Sequence, residues 1–293
     1  MEPIPFDKRS GKIWFNGTPI DWSDAKIHVL SHGLHYASCV FEGERVYDGE
    51  IFKLEEHTER LFHSANRLGF KIPYSEKDLN KACRDIVKIQ NVKNGYVRPV
   101  VWRGSEMMAI SAQKTKIHVA IATWEWGSYF DPNLKLKGIK LNISKWRRPA
   151  PNTIPWDTKA SGLYMICTLS KHEAEKEGFT DSLMLDYQDN IAEATGANVF
   201  FINKNAELHT PIADSFLNGI TRRSIIELAK LKKIKVIERK IKPEELPKFT
   251  GCFLTGTAAE VTPVSQINSH QFVVCNIIKD LEQSFQNLVR KKI

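Results

Sequence analysis

The chain has 293 residues, of which 42% are apolar and 26% charged, a composition typical of a globular protein with a sizeable core. No apolar run approaches the roughly 20 residues that a membrane helix needs. The first twelve residues lack the apolar stretch of a secretion signal, so we expect a cytoplasmic protein. The cysteines are odd in number and scattered, which predicts buried free thiols rather than disulfides: Cys39, Cys83, Cys167, Cys252 and Cys275.

The formal charge of +8 and the isoelectric point near 9.1 raise the question of nucleic-acid binding. The lysines and arginines are spread along the whole chain, and no basic run alternates with aromatic residues. A basic nucleic-acid-binding protein is therefore a remote alternative, because an anionic small ligand explains the charge equally well.

The first half of the chain predicts β-hairpins. Asn16-Gly17 supplies the positive φ that a tight type I′ turn needs, so the flanking residues form a hairpin. Strands over 40–47 and 51–54 form a second hairpin around Asp48-Gly49.

Three histidines lie between these hairpins. His28, His32 and His35 have a spacing that would suit a metal ion, but neither a helix pattern nor an acidic residue accompanies them. We therefore expect a polar loop and no metal.

Helices and longer strands follow. Apolar residues at helical spacing predict a helix over 55–68, ended by Gly69, and a second helix capped by Ser75. Residues 96–102 and 117–126 are rich in β-branched and aromatic residues and predict strands. The break that follows predicts three parts: a small N-terminal α/β domain over 1–126, an interdomain loop over 127–133 and a larger C-terminal domain over 134–293.

Within the first of these strands, Tyr96 and Arg98 share one face, because side chains alternate along a strand. A hydroxyl beside a guanidinium fork is suited to a carboxylate ligand. The alternative is an ordinary edge strand whose polar ends reach solvent.

The second half begins with a strand over 139–144 and a proline-rich loop that ends at Lys159, just before a helix over 161–177. A lysine is usually a surface charge. The alternative is a lysine that forms a Schiff base, whose amine becomes reactive when its surroundings lower its pKa.

Glu193 lies in the apolar segment IAEATGANVFFI, after a strand over 182–187. A buried carboxylate needs a positive partner. No fixed cation is near Glu193 in sequence, and a protonated pyridine nitrogen would serve.

Two turns of the second half can bind an anion. Asn218 to Thr221 precede a helix over 222–230, so backbone N–H groups and a hydroxyl point outward. Gly256-Thr257-Ala258 follows a strand over 252–254 and again offers backbone donors.

Together these motifs resemble a known family. SHGLHY, VFEGERVY, HTERL, GYVRPV, APNTIPWDTKASGLYM, EATGANVF, LNGITR and GTAAEVTP are similar to the class IV (fold-type IV) aminotransferases dependent on pyridoxal phosphate. Within that family the resemblance is to the bacterial branched-chain amino acid aminotransferases. It covers nearly the whole chain, in the family's order.

The resemblance implies roles for the cofactor-binding residues. Lys159 holds pyridoxal phosphate covalently and moves the proton, Glu193 binds the pyridine nitrogen, and Tyr164 binds the phenolic oxygen. Arg60 and the backbone of the two turns bind the phosphate. The set implied is Arg60, Lys159, Tyr164, Glu193, Gly196, Leu217, Gly219, Ile220, Thr221, Gly256 and Thr257.

It also implies a substrate pocket with aromatic walls. Tyr96, Arg98 and the backbone amides of Thr257 and Ala258 are expected to bind the substrate carboxylates. Tyr36 is expected to come from a neighbouring subunit. The set implied is Tyr36, Phe41, Gly43, Arg45, Tyr96, Arg98, Met108, Ile110, Trp126, Tyr129, Thr257 and Ala258.

The expected fold is two-domain α/β, with a larger C-terminal pseudobarrel, in a homodimer or higher homo-oligomer. The expected reaction is reversible ping-pong transfer of the amino group between leucine, isoleucine or valine and 2-oxoglutarate. D-amino acid aminotransferases and aminodeoxychorismate lyases of the same fold are alternatives, against which the 41–45 and 96–98 segments weigh. The chain departs from the family pattern in a short 47–51 loop and in the 103–110 segment, which bears on substrate preference.

Overall fold

The computed structural model describes residues 4–127, 130 and 136–291. The chain forms two compact units: Met1–Gly127 with Thr158–Gly162, and Ser128–Asp157 with Leu163–Ile293. The short segment around Lys159 thus belongs with the N-terminal residues. In the ranges that the structure describes, no helix is long and apolar enough to cross a membrane.

The first unit is built on an antiparallel sheet of seven strands in the order β2-β1-β7-β6-β4-β5, with β3 paired to the other half of β6. Helix α3 contacts β1 and β7, and α2 contacts α3. The strands are β1 Lys12–Phe15, β2 Thr18–Asp21, β3 Cys39–Phe41, β4 Glu44–Tyr47, β5 Glu50–Ile51, β6 Gly95–Arg103 and β7 Ile117–Glu125, and the helices are α1 His32–Tyr36, α2 Leu54–Arg67 and α3 Glu76–Ile89.

The local signals of this unit act as expected. Asn16 and Gly17 have φ of 48° and 106° in the turn between β1 and β2, which confirms the first hairpin. The Ser75 hydroxyl accepts the Asp78 N–H, and the Asp78 carboxylate accepts the Ser75 N–H, so α3 has the capping box of a stable helix start.

Three predictions for this unit need correction. The predicted strand over 40–47 is interrupted at Glu42-Gly43: Glu42 donates its N–H to the Pro99 carbonyl, and a proline has no N–H to return. The second hairpin is short, because residue 54 already begins α2. The histidine segment is not only a loop, since 32–36 form α1, which ends at Ala37 in the left-handed region (φ 53°).

The second unit contains a nine-stranded sheet in which six strands close a ring. Strands β10, β9, β8, β15, β14 and β11 pair in succession, and β10 also pairs with β11. This closed sheet confirms the expected pseudobarrel. Its elements are β8 Ile139–Arg147, α4 Met165–Lys176, β9 Asp181–Leu185, β10 Ile191–Ala194, β11 Asn198–Asn203, β12 Leu208–Thr210, α5 Ile220–Leu231, β13 Val236–Glu238, β14 Phe249–Gly256, β15 Glu260–Ile267, β16 His270–Gln271 and α6 Asn276–Val289.

Helices cover this ring from outside. Helix α4 contacts β8 and β9, α5 contacts β14, and α6 contacts β15. A 3-10 turn, Ser161–Tyr164, leads into α4, so the predicted helix over 161–177 begins in a tighter conformation. Inside, aliphatic and aromatic side chains form one apolar core, in which Phe201 stacks on Phe249 at 4.9 Å.

Candidate active site

Lys159 lies on a segment whose backbone is held from two sides within the first unit. Its carbonyl accepts the Phe41 N–H at 3.1 Å, and its own N–H donates to the Ser64 hydroxyl at 3.0 Å. Ala160 forms a β-bridge with Val40. The Lys159 Nζ lies 5.1 Å from the centre of the Phe41 ring. The amine is thus presented from a fixed backbone next to an aromatic face.

Close to this segment, Glu42 holds Arg60 and His57 in a buried charge network. Its carboxylate accepts from Arg60 Nε at 2.6 Å and Nη2 at 2.8 Å, and from His57 Nδ1 at 2.8 Å. Burial would raise the pKa of Glu42, but the Arg60 charge and hydrogen bonds and then His57 lower it well below its usual range. Burial lowers the pKa of His57, so the neutral imidazole donates its Nδ1 hydrogen.

This network fixes the orientation of Arg60, the residue expected to meet a phosphate. A bidentate carboxylate holds a guanidinium in one plane, and the Arg60 side chain is only 13% exposed. Glu42 and His57 were not predicted as site residues from the sequence. The available signal was Glu42 itself, a carboxylate in an apolar strand segment that must meet a cation.

A second carboxylate, Glu44, is buried beside this network. Its oxygens have no hydrogen-bond partner among the described residues, and the residue is 0% exposed. Burial, and then the negative charge of Glu42, raise the pKa of Glu44 well above its usual range. The folded protein therefore holds a proton on Glu44 that the unfolded chain releases above about pH 4.3.

We expect Glu44→Gln to flatten the pH dependence of stability. Because Glu44 has the higher pKa in the folded state, its contribution is most favourable at low pH and is lost as pH rises towards that pKa, by about 1.4 kcal/mol per pH unit. Melting temperatures between pH 5 and 8 measure this: the variant should gain on the native protein as pH rises. Glu50→Gln, at an exposed glutamate of β5, is the control. Parallel curves for the native protein and the Glu44→Gln variant would contradict the prediction.

Five of the expected substrate residues form an aromatic cluster in the first unit. The Arg98 guanidinium lies 4.7 Å from the Phe41 ring and 5.4 Å from the Tyr96 ring. Tyr96 packs edge-on against Trp126 at 4.7 Å. A Cβ at Gly43 would lie 1.9 Å from the Tyr96 hydroxyl, so that position requires glycine for close approach.

Other expected substrate residues are more exposed. Tyr36 stacks on His32 at 4.5 Å and is 42% exposed, whereas Met108 and Ile110 are 43% and 83% exposed. Arg45, in contrast, is buried and donates to the Gly127 carbonyl at 2.7 Å. Tyr129 lies outside the described residues.

The histidines of the N-terminal segment make local hydrogen bonds. His32 bonds the Ala109 carbonyl at 2.9 Å through Nε2, and His35 bonds the Val29 carbonyl at 2.8 Å. His28 accepts the Leu30 N–H at 3.1 Å. In the part of the chain that the structure describes, no group of three or more histidine, cysteine or acidic side chains could hold a metal ion.

Within the second unit, Arg148 and Asn198 lie close to Glu193. Its carboxylate lies 3.3 Å from Arg148 Nε and accepts from Asn198 Nδ2 at 3.2 Å. Arg148 follows β8, and β8 reaches β10 through β9 in the barrel. No fixed cation is near Glu193 in sequence. Arg148 is remote in sequence, and the pairing of β8 with β9 and of β9 with β10 brings it to Glu193.

The two predicted anion-binding turns also lie in this unit. The first leads into α5 from Leu217 through Gly219, which has no side chain to cap the helix, so first-turn N–H groups remain for a ligand. Arg222 holds this turn by donating to Asn218 Oδ1 at 2.9 Å and to the Pro211 carbonyl at 2.9 Å. Ile220 and Thr221 are buried at the helix start.

The second turn follows β14 at Gly256 and includes the half-buried Thr257 and Ala258. A Cβ at Gly256 would lie 3.3 Å from the Gly196 carbonyl, so the β10–β11 turn packs closely against it. The Thr255 hydroxyl is buried and has no hydrogen-bond partner among the described residues. A carboxylate held in place, an uncapped helix start and an unpaired hydroxyl fit a ligand with a protonated ring nitrogen and a phosphate.

Tyr164 is half-buried where the 3-10 turn passes into α4. Its carbonyl accepts from the Thr168 hydroxyl at 3.2 Å, a contact that holds the start of the helix.

Comparison with known proteins identifies the family. The sequence model described as "Amino-transferase class IV" matches residues 39–267. The chain belongs to the class IV aminotransferases, as its motifs indicate, and is a transaminase.

Individual relatives show which members of the family the chain is similar to. The chain is 38% identical to the branched-chain-amino-acid aminotransferase of Pseudomonas aeruginosa, over 97% of this chain and 94% of that one. A crystal structure of the Escherichia coli branched-chain amino acid aminotransferase has a TM-score of 0.93 and 37% identity, with 97% and 96% covered. The T.th. branched-chain amino acid aminotransferase complexed with N-(5'-phosphopyridoxyl)-L-glutamate has a TM-score of 0.92 and 32% identity, with 97% and 96% covered.

Proposed function

We propose that the protein is a branched-chain amino acid aminotransferase dependent on pyridoxal phosphate. It transfers the amino group reversibly between L-leucine, L-isoleucine or L-valine and 2-oxoglutarate, by a ping-pong mechanism. The named relatives support this, as does the phosphopyridoxyl glutamate bound in the structure of the T.th. enzyme.

One observation carries the proposal: Glu193 is held by Arg148 and Asn198 beside the two turns that offer backbone N–H groups. A carboxylate held in this way keeps a proton on the pyridine nitrogen, and the turns take the phosphate. When bound, pyridoxal phosphate supplies a ring that draws electrons from the substrate carbon.

The chain's own residues then have distinct tasks. Lys159 would hold the cofactor through its amine, and the same amine would carry the proton that leaves the substrate α-carbon. Tyr164 would donate to the phenolic oxygen, and the 217–221 and 256–257 turns would bind the phosphate, the group to which the family resemblance also assigns Arg60. Glu42 and His57 keep Arg60 in one orientation.

The substrate side chain meets aromatic residues and one arginine. Phe41, Tyr96 and Trp126 offer apolar faces to a branched aliphatic chain, while Arg98 suits a carboxylate. A pocket of this kind serves both leucine and glutamate.

A spectrum and one assay test the function. The purified protein should show a visible absorption band that a carbonyl reagent removes. It should transfer amino groups from L-leucine, and not from D-alanine, to 2-oxoglutarate. Transfer from D-amino donors would favour a D-amino acid aminotransferase, and release of pyruvate from aminodeoxychorismate would favour a lyase. Without a cofactor band, tight nucleic-acid binding would favour the remote alternative.

We expect Arg98→Met to slow the glutamate half-reaction more than the leucine half-reaction. Glutamate brings two carboxylates and leucine one, and an unpaired buried carboxylate costs several kcal/mol, more than a lost neutral hydrogen bond at about 1–3. Single-turnover kinetics on each half-reaction, read as changes in transition-state free energy, measure the difference.

Arg45→Met on the neighbouring strand β4 is the comparison: Arg45 donates to the Gly127 carbonyl, so this variant should not slow the glutamate half-reaction selectively. Equal losses of both half-reactions in Arg98→Met would mean that Arg98 reads the α-carboxylate common to all substrates. Arg45 would then become the partner of the second carboxylate.

We also propose a cytoplasmic homodimer or higher homo-oligomer. Large apolar side chains are exposed along 27–36: Val29 is 67% exposed and Leu34 60%. Exposed apolar residues so close together favour a protein contact. Sedimentation of the native protein and of the Leu34→Asp variant tests this, because the variant should dissociate and sediment with a lower molecular mass.

The free cysteines support the proposed cytoplasmic location. The five free thiols suit a reducing compartment, although Cys39 and Cys275 are half-buried rather than buried.

A further inference from the structure

Asn198, at the start of β11, makes three hydrogen bonds with one side chain. Its Nδ2 donates to Glu193 Oε2 at 3.2 Å and to the Leu217 carbonyl at 3.0 Å. Its Oδ1 accepts the Gly219 N–H at 3.1 Å. An asparagine amide has two donor hydrogens and one acceptor oxygen, so these contacts use both kinds of group. The residue is 4% exposed.

These bonds join three elements of the second unit: β10, β11 and the turn that leads into α5. Glu193 is directly opposite Asn198 in the register that joins β10 to β11, and Thr255 is opposite Asn198 on β14. The Leu217–Gly219 turn comes from the approach to α5. One amide therefore connects the carboxylate of β10 to the anion-binding turn, next to the end of β14.

Gly219 permits this connection. A Cβ on Gly219 would lie 2.2 Å from Asn198 Oδ1. The next residue that it would contact is Arg222, whose Cβ would be 3.6 Å away. The φ of Gly219 is −61°, which any residue adopts, so the requirement for glycine comes from the approach of the Asn198 amide.

We propose that Asn198 is a positioning residue that couples Glu193 to the phosphate-binding turn. This proposal rests on the proposed function, in which Glu193 binds the ring nitrogen and the turn binds the phosphate. The bond from Asn198 Nδ2 orients the Glu193 carboxylate. The two bonds to Leu217 and Gly219 hold the phosphate-binding turn at a fixed distance from that carboxylate. The spacing between the two ends of the cofactor site is thereby set by one side chain.

Replacement should affect both ends at once. In Asn198→Ala, Glu193 loses a donor and keeps Arg148, and the turn loses both of its contacts to β11. Asn198→Asp keeps an acceptor for the Gly219 N–H but places a carboxylate against Glu193, so it should harm the Glu193 end most.

Asn203 offers a matched control at the other end of the same strand. Its Nδ2 donates to Glu207 Oε2 at 2.7 Å, and its Oδ1 accepts the N–H groups of Asn205 and Glu207 at 3.0 Å each. It thus makes the same kinds of contact as Asn198, away from Glu193. If Asn198 served stability alone, Asn203→Ala would have the same consequences.

The first experiment compares the holoenzymes of the native protein, Asn198→Ala, Asn198→Asp and Asn203→Ala. The pH titration of the visible band, the rate of cofactor loss on dilution and the melting temperature are measured. We expect Asn198→Ala to shift the titration and to release pyridoxal phosphate at least tenfold faster, and Asn198→Asp to shift the titration further. Asn203→Ala should lower only the melting temperature. If Asn198→Ala also lowers only the melting temperature, the coupling role is wrong.

The second experiment tests the contact itself with Gly219→Ala in the native and the Asn198→Ala backgrounds. In the native background the new methyl group displaces the Asn198 amide, so cofactor loss should be faster. In the Asn198→Ala background the methyl group has room, and the second substitution should change the rate less than twofold. Additive effects would overturn the proposal.

The two levels of inference fail differently. A native protein without a visible band overturns the proposed function and, with it, the role of Asn198. A native protein with the band, but with Asn198→Ala indistinguishable from Asn203→Ala, overturns the role of Asn198 alone.

Discussion

Replacing Lys159 by alanine is expected to abolish transamination while the protein stays folded. The segment is held through backbone atoms, by the Phe41 N–H and the Ser64 hydroxyl, and these contacts survive truncation of the side chain. The amine is the group that anchors the cofactor and moves the proton, and alanine has no substitute for it. We expect a loss of at least about four orders of magnitude in turnover, as is typical when a catalytic nucleophile is removed.

Reduction of the native protein with borohydride, followed by peptide mapping, places the cofactor adduct. It should lie on Lys159, and Lys159→Ala should carry none. Lys145→Ala removes an exposed lysine of β8 that pairs with Glu173, and serves as the control with native turnover. An adduct on a different lysine, or turnover in Lys159→Ala, would contradict the assignment.

Sequence periodicity and turn chemistry predicted most of the fold. The Asn16-Gly17 hairpin, the Ser75 cap and the helix ended by Gly69 are local features, in which neighbouring residues determine the conformation. The interruption at Glu42-Gly43 was missed because it depends on Pro99 in the facing strand and on the Tyr96 hydroxyl. Neither is adjacent in sequence.

The candidate site divides in the same way. Lys159, Glu193 and the two glycine turns carry signals of their own, namely a junction lysine, a carboxylate in an apolar strand and backbone donors after a glycine. Their partners carry none. Arg148 reaches Glu193 only because β8, β9 and β10 are neighbours in a closed barrel.

Burial also decides charge in ways that sequence does not predict. Glu42 and Glu44 are two positions apart in one motif, yet the pKa of Glu42 is lowered and that of Glu44 raised. The difference is that Arg60 and His57 donate to Glu42, whereas Glu44 is buried without a hydrogen-bond partner among the described residues. Both residues are glutamates of the same short motif, so the sequence alone does not distinguish their pKa values.

Replacing Glu193 by glutamine is expected to keep the cofactor bound and to slow catalysis by roughly two to three orders of magnitude, the loss typical of a preorganised electrostatic group. An uncharged amide does not hold a proton on the pyridine nitrogen as a carboxylate does. The substitution also leaves Arg148, which is 5% exposed, without its charged partner, at a cost of about 3 kcal/mol in stability.

These two effects separate by measurement. Turnover per bound cofactor reports catalysis, and the melting temperature reports the loss of the Arg148 pair. Glu193→Asp, which keeps the charge, should recover part of the rate. The control is Glu177→Gln, because Glu177 also accepts from an asparagine of the second unit, Asn142 Nδ2 at 2.7 Å. Near-native turnover in Glu193→Gln, with only the melting temperature lowered, would make Glu193 a structural partner of Arg148 and leave the ring nitrogen to another group.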